Sequence, residues 1–68
     1  MNSILNGLDT AGKIKALIAS RNKSQPDLAT ILGVSLGTIQ NRLEKNDWRM
    51  DELKVISNEF QVDLTDLL

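Results

Sequence analysis

Bulky apolar residues in this chain recur at three- and four-residue spacings, in short stretches cut apart by residues that cap helices or turn the backbone. That spacing is the period of a helix with one buried stripe, and the interruptions hold each helix to about a dozen residues. Strands have little to be made of: β-branched runs are absent, and aromatic residues are 3% of the chain. The expected fold class is all-α. A chain of 68 residues is below half the usual domain size and supports one small core that every helix must share. Residues 8–68 are read as that domain. Residues 1–7 show no apolar period and are read as a flexible N-terminal arm.

Ala11, Ile14, Leu17 and Ile18 mark a first helix over about 9–21, with Asp9 as its N-cap. Ser24-Gln25-Pro26-Asp27 opens a second. Ser24 caps, Asp27 reaches back from three residues on, and Pro26 sits in a first turn where its missing N–H is not needed. The residue before a proline is steered away from helical ψ, so Gln25 competes with Ser24 for the cap position. Leu28, Ala29 and Leu32 point inward, and Gly33 supplies the left-handed residue that ends this helix, at about 25–32. Ser35 caps a third helix over about 36–45, with Ile39 and Leu43 inward. Asn46-Asp47 breaks it. A fourth helix begins near Met50, with Asp51 and Glu52 at the positive end of its dipole and Trp48 and Leu53 spaced as a hydrophobic staple. Met50, Leu53, Ile56 and Phe60 are expected on one inward face down to about Gln61. Asp63-Leu64-Thr65-Asp66 repeats the cap pattern and is expected to begin a fifth helix.

The chain has no Cys and no His, which removes disulfides, thiolate nucleophiles, the imidazole base and the usual zinc ligands. No constellation of the remaining carboxylates, lysines and hydroxyls stands out, so no enzyme, metal or cofactor is expected. No run of bulky apolar residues exceeds two, against the roughly 20 that span a bilayer. Residues 1–8 lack the basic start and apolar stretch of a signal peptide. A cytoplasmic protein without a membrane partner is expected.

A net charge of −1 argues against a nucleic-acid partner, because such domains usually carry a basic excess. The distribution argues the other way. Residues 10–49 hold seven basic residues against three acidic ones, a net charge of +4, while residues 50–68 hold Lys54 against five acidic residues, a net charge of −4. Such polarity points to one anion-facing surface.

Helix, short turn with glycine, helix is the arrangement here with a sharp functional meaning. The stretch Gln25-Pro26-Asp27-Leu28-Ala29-Thr30-Ile31-Leu32-Gly33-Val34-Ser35-Leu36-Gly37-Thr38-Ile39 resembles the helix-turn-helix of the lambda-repressor-like (Cro/C1-type) DNA-binding domains. Phe60-Gln61-Val62-Asp63-Leu64-Thr65-Asp66-Leu67-Leu68 is similar to that family's last-helix segment, and the resemblance covers about residues 12–68. It implies a compact five-helix domain in which helices 2 and 3 form the helix-turn-helix. It also implies a sequence-specific transcriptional regulator of phage or prophage repressor or Cro type, binding a near-palindromic double-stranded DNA operator as a homodimer. The same fold serves protein-interaction modules such as antitoxins and adaptors, which is the alternative. There is no long carboxyl-terminal extension of the kind full phage repressors use, so the chain looks Cro-sized or like an isolated domain. Two positions depart from the pattern: Arg42 stands where an apolar residue is usual, with Leu43 next, and Gly37 lies inside the recognition helix at about 1 kcal/mol of helix stability.

On this reading Leu36, Gly37, Gln40 and Asn41 lie away from the buried stripe and meet base edges. A carboxamide pairs bidentately with adenine, and a leucine meets a thymine methyl. Gln25 resembles the family's phosphate-binding glutamine at a helix N-terminus. Lys23, Arg42, Lys45 and Asn46 are assigned to phosphates as well. So short a chain has too little core to hide every leucine, which assigns Leu64, Leu67 and Leu68 to a dimer interface.

Overall fold

The computed structural model describes residues 8–68, so the arm expected over 1–7 lies outside the described residues. Four α-helices follow in order, α1 (Thr10–Ser20), α2 (Gln25–Leu32), α3 (Leu36–Lys45) and α4 (Met50–Phe60), and then a single 3-10 turn at Leu64–Asp66. Among the described residues the fold is all-helical with four α-helices, not five. No helix among them is long and apolar enough to cross a membrane.

The helix starts are local chemistry. The Asp9 carboxylate accepts from the Gly12 N–H at 2.8 Å. Ser24, not Gln25, caps α2: its hydroxyl accepts from the Asp27 N–H at 3.3 Å while Asp27 accepts from the Ser24 N–H at 2.8 Å. The reciprocal pair satisfies two donors that a helix start otherwise leaves free. Ser35 caps α3 by accepting from the Thr38 N–H at 3.1 Å. The helix ends share a different device. Asn22, Gly33, Asn46 and Gln61 each adopt positive φ after α1 to α4, letting the next N–H fold back: Lys23 to Ile18, Val34 to Ala29, Asp47 to Arg42 and Val62 to Ser57. This is the termination a left-handed residue permits, and only one of the four is glycine.

Inside, Ala11, Ile14 and Ile18 of α1, Leu28 and Ala29 of α2, Ile39 and Leu43 of α3, and Leu53, Ile56 and Phe60 of α4 form one cluster that Leu67 completes. Trp48 packs onto it from the position before the α4 cap residue, and Leu53 lies four residues into that helix, as a staple requires. Met50, expected inward, is 50% exposed, and the buried place in that first turn belongs to Glu52, 9% exposed.

The expected fifth helix is a 3-10 turn closed by Asp66 N–H to Asp63 O and Leu67 N–H to Leu64 O. Asp63 makes no side-chain cap bond there. Three residues per turn set positions i and i+3 on one face, so Leu64 and Leu67 both turn toward the core. Leu67, expected at a dimer surface, is accordingly 2% exposed within one chain.

Candidate nucleic-acid interface

The turn from α2 to α3 sets the interface. Gly33 at φ +69° ends α2 with no atom within 4 Å of where a Cβ would stand, so backbone conformation alone selects glycine here. Val34 lies half-buried against the core, and Ala29, 5% exposed, lets α3 close onto α2. Two residues separate Gly33 from the first residue of α3, and Ser35 supplies the cap as one of them.

At about 100° per residue, Ile39 and Leu43 define the inward direction of α3, and Gly37, Asn41, Glu44 and Lys45 lie within about 60° of the opposite one. All four are exposed. Gln40, exposed, borders that face on one side, while Leu36, 38% exposed in the first turn, lies only about 40° from the inward direction. Thr38 and Arg42 border that face on the other side and are half-buried. The structure therefore brings Gly37 and Asn41 to the free side of α3 with Gln40 at its edge, leaves Leu36 on the inward half, and adds Glu44, which the sequence analysis does not single out. Helical spacing from Gly37 and Asn41 was the signal for it.

Gln25 is the first residue of α2 and half-buried; Lys23 precedes the Ser24 cap and is exposed. Their site is the positive end of a helix dipole. Asp27 sits in the same turn, and its carboxyl is held below the usual carboxylate range by the Ser24 backbone N–H first, then by the Ser24 hydroxyl, with Lys23 adding to the shift. The α2 start is therefore cationic at Lys23 and compensated at Asp27.

Two residues assigned to phosphates have partners inside the protein. The Arg42 Nε donates to Glu52 Oε1 at 3.0 Å and Oε2 at 3.2 Å, and its Nη2 donates to Oε2 at 3.2 Å. Hydrogen bonding to Glu52 raises the Arg42 pKa further above its ordinary value. Asn46 Oδ1 accepts from the Ala11 N–H at 2.8 Å, so this residue ends α3 and caps α1 at once. Lys45 is exposed. Arg42 stood in the sequence where an apolar residue is usual, and a buried acid opposite it was the inference that signal allowed. Of the three terminal leucines, Leu64 is half-buried against the core, Leu67 is buried, and Leu68 is 54% exposed.

No curated protein and no solved structure matches the chain. The family model for the Cro/C1-type HTH DNA-binding domain matches residues 13–68, a span that begins within α1 and takes in the α2–turn–α3 unit, α4 and the closing turn. With the glycine-ended α2, the serine-capped α3 and the free outward face of α3, this chain belongs to the Cro/C1-type HTH DNA-binding family.

Proposed function

We propose that the protein is a sequence-specific transcriptional regulator of phage or prophage repressor or Cro type, which binds a near-palindromic operator as a homodimer and excludes polymerase by occupancy, in the cytoplasm at the nucleoid. The observation that carries this reading is the free face of α3, where Gly37, Gln40 and Asn41 are exposed together on a helix whose opposite side is fully engaged in the core.

In this mechanism α3 enters the major groove. Asn41 and Gln40 read base edges, each capable of a two-bond match to adenine N6 and N7, and Leu36 meets a thymine methyl from the first turn of α3. Gln25 meets a phosphate with its side chain and backbone N–H, Lys23 and Lys45 supply the charge, and Asn46 adds its amide N–H where α3 ends. With two cations per subunit, the slope of log K against log salt for a dimer is about −4. A single short recognition helix makes few contacts, so two half-sites about 34 Å apart are needed. Of the three terminal leucines, Leu68, and Leu64 where it is uncovered, are left for the second subunit.

The test is selection of bound sites from random DNA by the purified protein. A near-palindrome should be enriched, Asn41→Ala should lose about 1–3 kcal/mol on it and almost nothing on random DNA, and Lys45→Ala should weaken both alike. Failure to enrich any sequence would reject the reading. That result would favour the protein-interaction alternative, for which the exposed Met50, Val55 and Leu68 in the acidic segment are the supporting observation.

A further inference from the structure

We propose that Arg42 serves operator binding as a positioning residue and not as a phosphate ligand: through its pair with the buried Glu52 it sets the tilt of the recognition helix α3 against α4. The inference rests on the DNA-binding reading above and concerns what orients its reading face.

Three observations meet at this pair. First, α3 packs on α2 and α1, α4 packs on α2, and close backbone approach between α3 and α4 is sparse. Direct contact between α3 and α4 is therefore made mainly by side chains, over the core that both share with α2. Second, the bridge is two-pronged at both ends. Two Arg42 nitrogens engage both Glu52 oxygens, and Glu52 Oε1 also accepts from the Arg49 N–H at 3.0 Å. The carboxylate is thus anchored to the start of its own helix before it grips α3. A planar fork on a carboxylate fixes direction as well as distance, which a lysine cannot reproduce. Third, Arg42 occupies the α4-side flank of α3, about 100° from the outward direction that Asn41 takes, with its side chain 20% exposed and that of Glu52 11% exposed. To reach a phosphate the guanidinium would have to leave an enclosed anion behind, which is costly. The pair lies one residue beyond Asn41 and within a turn of Gln40, so a change in its geometry swings both readers.

Three variants separate the roles on DNA carrying the selected operator and on random DNA, across a salt series and at a temperature where a melt shows each variant folded. Arg42→Lys keeps the charge and loses the fork. Glu52→Gln keeps an acceptor for the Arg49 N–H and loses the carboxylate. Arg42→Met removes the cation. A positioning role predicts that Arg42→Lys and Glu52→Gln each lose about tenfold or more on the operator, the scale of one impaired base contact. They should lose little on random DNA, and Arg42→Met should leave the salt slope unchanged. A purely structural role would lower the melting temperature and leave the operator-to-random ratio intact. A phosphate ligand would tolerate Arg42→Lys, would bind as tightly or more tightly in Glu52→Gln, which frees it, and would drop the slope by about one per subunit in Arg42→Met. Either outcome overturns the proposal. Wild-type protein that selects no operator would overturn the reading beneath it and the proposal together, whereas operator binding lost in Lys45→Ala but kept in the Arg42 and Glu52 variants would overturn the proposal alone.

Discussion

Replacing Gly37 by alanine separates the stability of α3 from its use. Gly37 is the second residue of the helix, is exposed, and has ordinary negative φ. A Cβ built there meets only the Ser35 hydroxyl, at 3.8 Å, which is plain van der Waals contact. Among the described residues nothing requires glycine here. Alanine therefore gains helix propensity and shrinks the unfolded ensemble, for about 0.5–1 kcal/mol, less than the interior value because the first turn is only partly hydrogen-bonded. For a chain this size that is a rise in melting temperature of about 3–7 °C, readable by calorimetry or circular dichroism. The new methyl points within about 40° of the outward direction of α3, where the major groove would lie. If the first turn sits against base edges, the methyl forces the helix outward, and operator affinity measured by titration should fall about tenfold while the melting temperature rises. A melting temperature that falls would mean that the start of α3 is not the unstrained turn described. A stabilised variant with unaltered operator affinity would show that Gly37 faces no DNA and that the groove-facing side of α3 is misassigned.

Leu67→Ala should cost about 2–4 kcal/mol, most of the stability of so small a domain; a dimer-surface role would instead make the loss depend on protein concentration in a dilution series of melts. The depressed Asp27 carboxyl contributes stability that is complete above its unfolded value near 3.8 and is lost as pH falls through the lower folded value. Melts followed from about pH 5 to pH 2 should therefore decline less steeply in Asp27→Asn than in wild type, and equal slopes would refute the capping account of α2. Glu44→Gln removes an anion from the outward face of α3 and should tighten binding to random DNA about two- to threefold per subunit. Unchanged binding at low salt would place Glu44 away from the phosphates.

The elements were legible wherever three or four neighbouring residues decide the outcome. Ser24 with Asp27, Ser35 with Thr38, and Asp9 with Gly12 close caps within one turn, so α2 and α3 occupy the ranges their cap residues mark out. The stripes of α1 to α3 follow from the 3.6-residue period, which requires no knowledge of the partner helix. The free side of α3 was legible for the same reason, since naming Ile39 and Leu43 as buried names its opposite. Pattern reading fell short at the chain's last segment, where it took a cap-like tetrapeptide for a helix and left Leu67 unburied.

What tertiary structure alone decided are the contacts that span the chain. Asn46 reaches Ala11 across 35 positions, and Arg42 reaches Glu52 across ten. Each satisfies a buried or half-buried polar group whose need arises only once two helices are brought together. Asn22, Asn46 and Gln61 take the left-handed conformation because the core holds the helices on either side of each turn, and packing outweighs a local penalty of about 1 kcal/mol. The amino-acid order by itself determined which residues start helices, which face of α1 to α3 is apolar and where glycine must turn the chain, because those free energies are settled within one turn. The docking of α3 against α4, the burial of Leu67 over Leu68 and the capture of Arg42 by a carboxylate were decided in three dimensions, where the cost of enclosing a charge or a leucine depends on every neighbour at once.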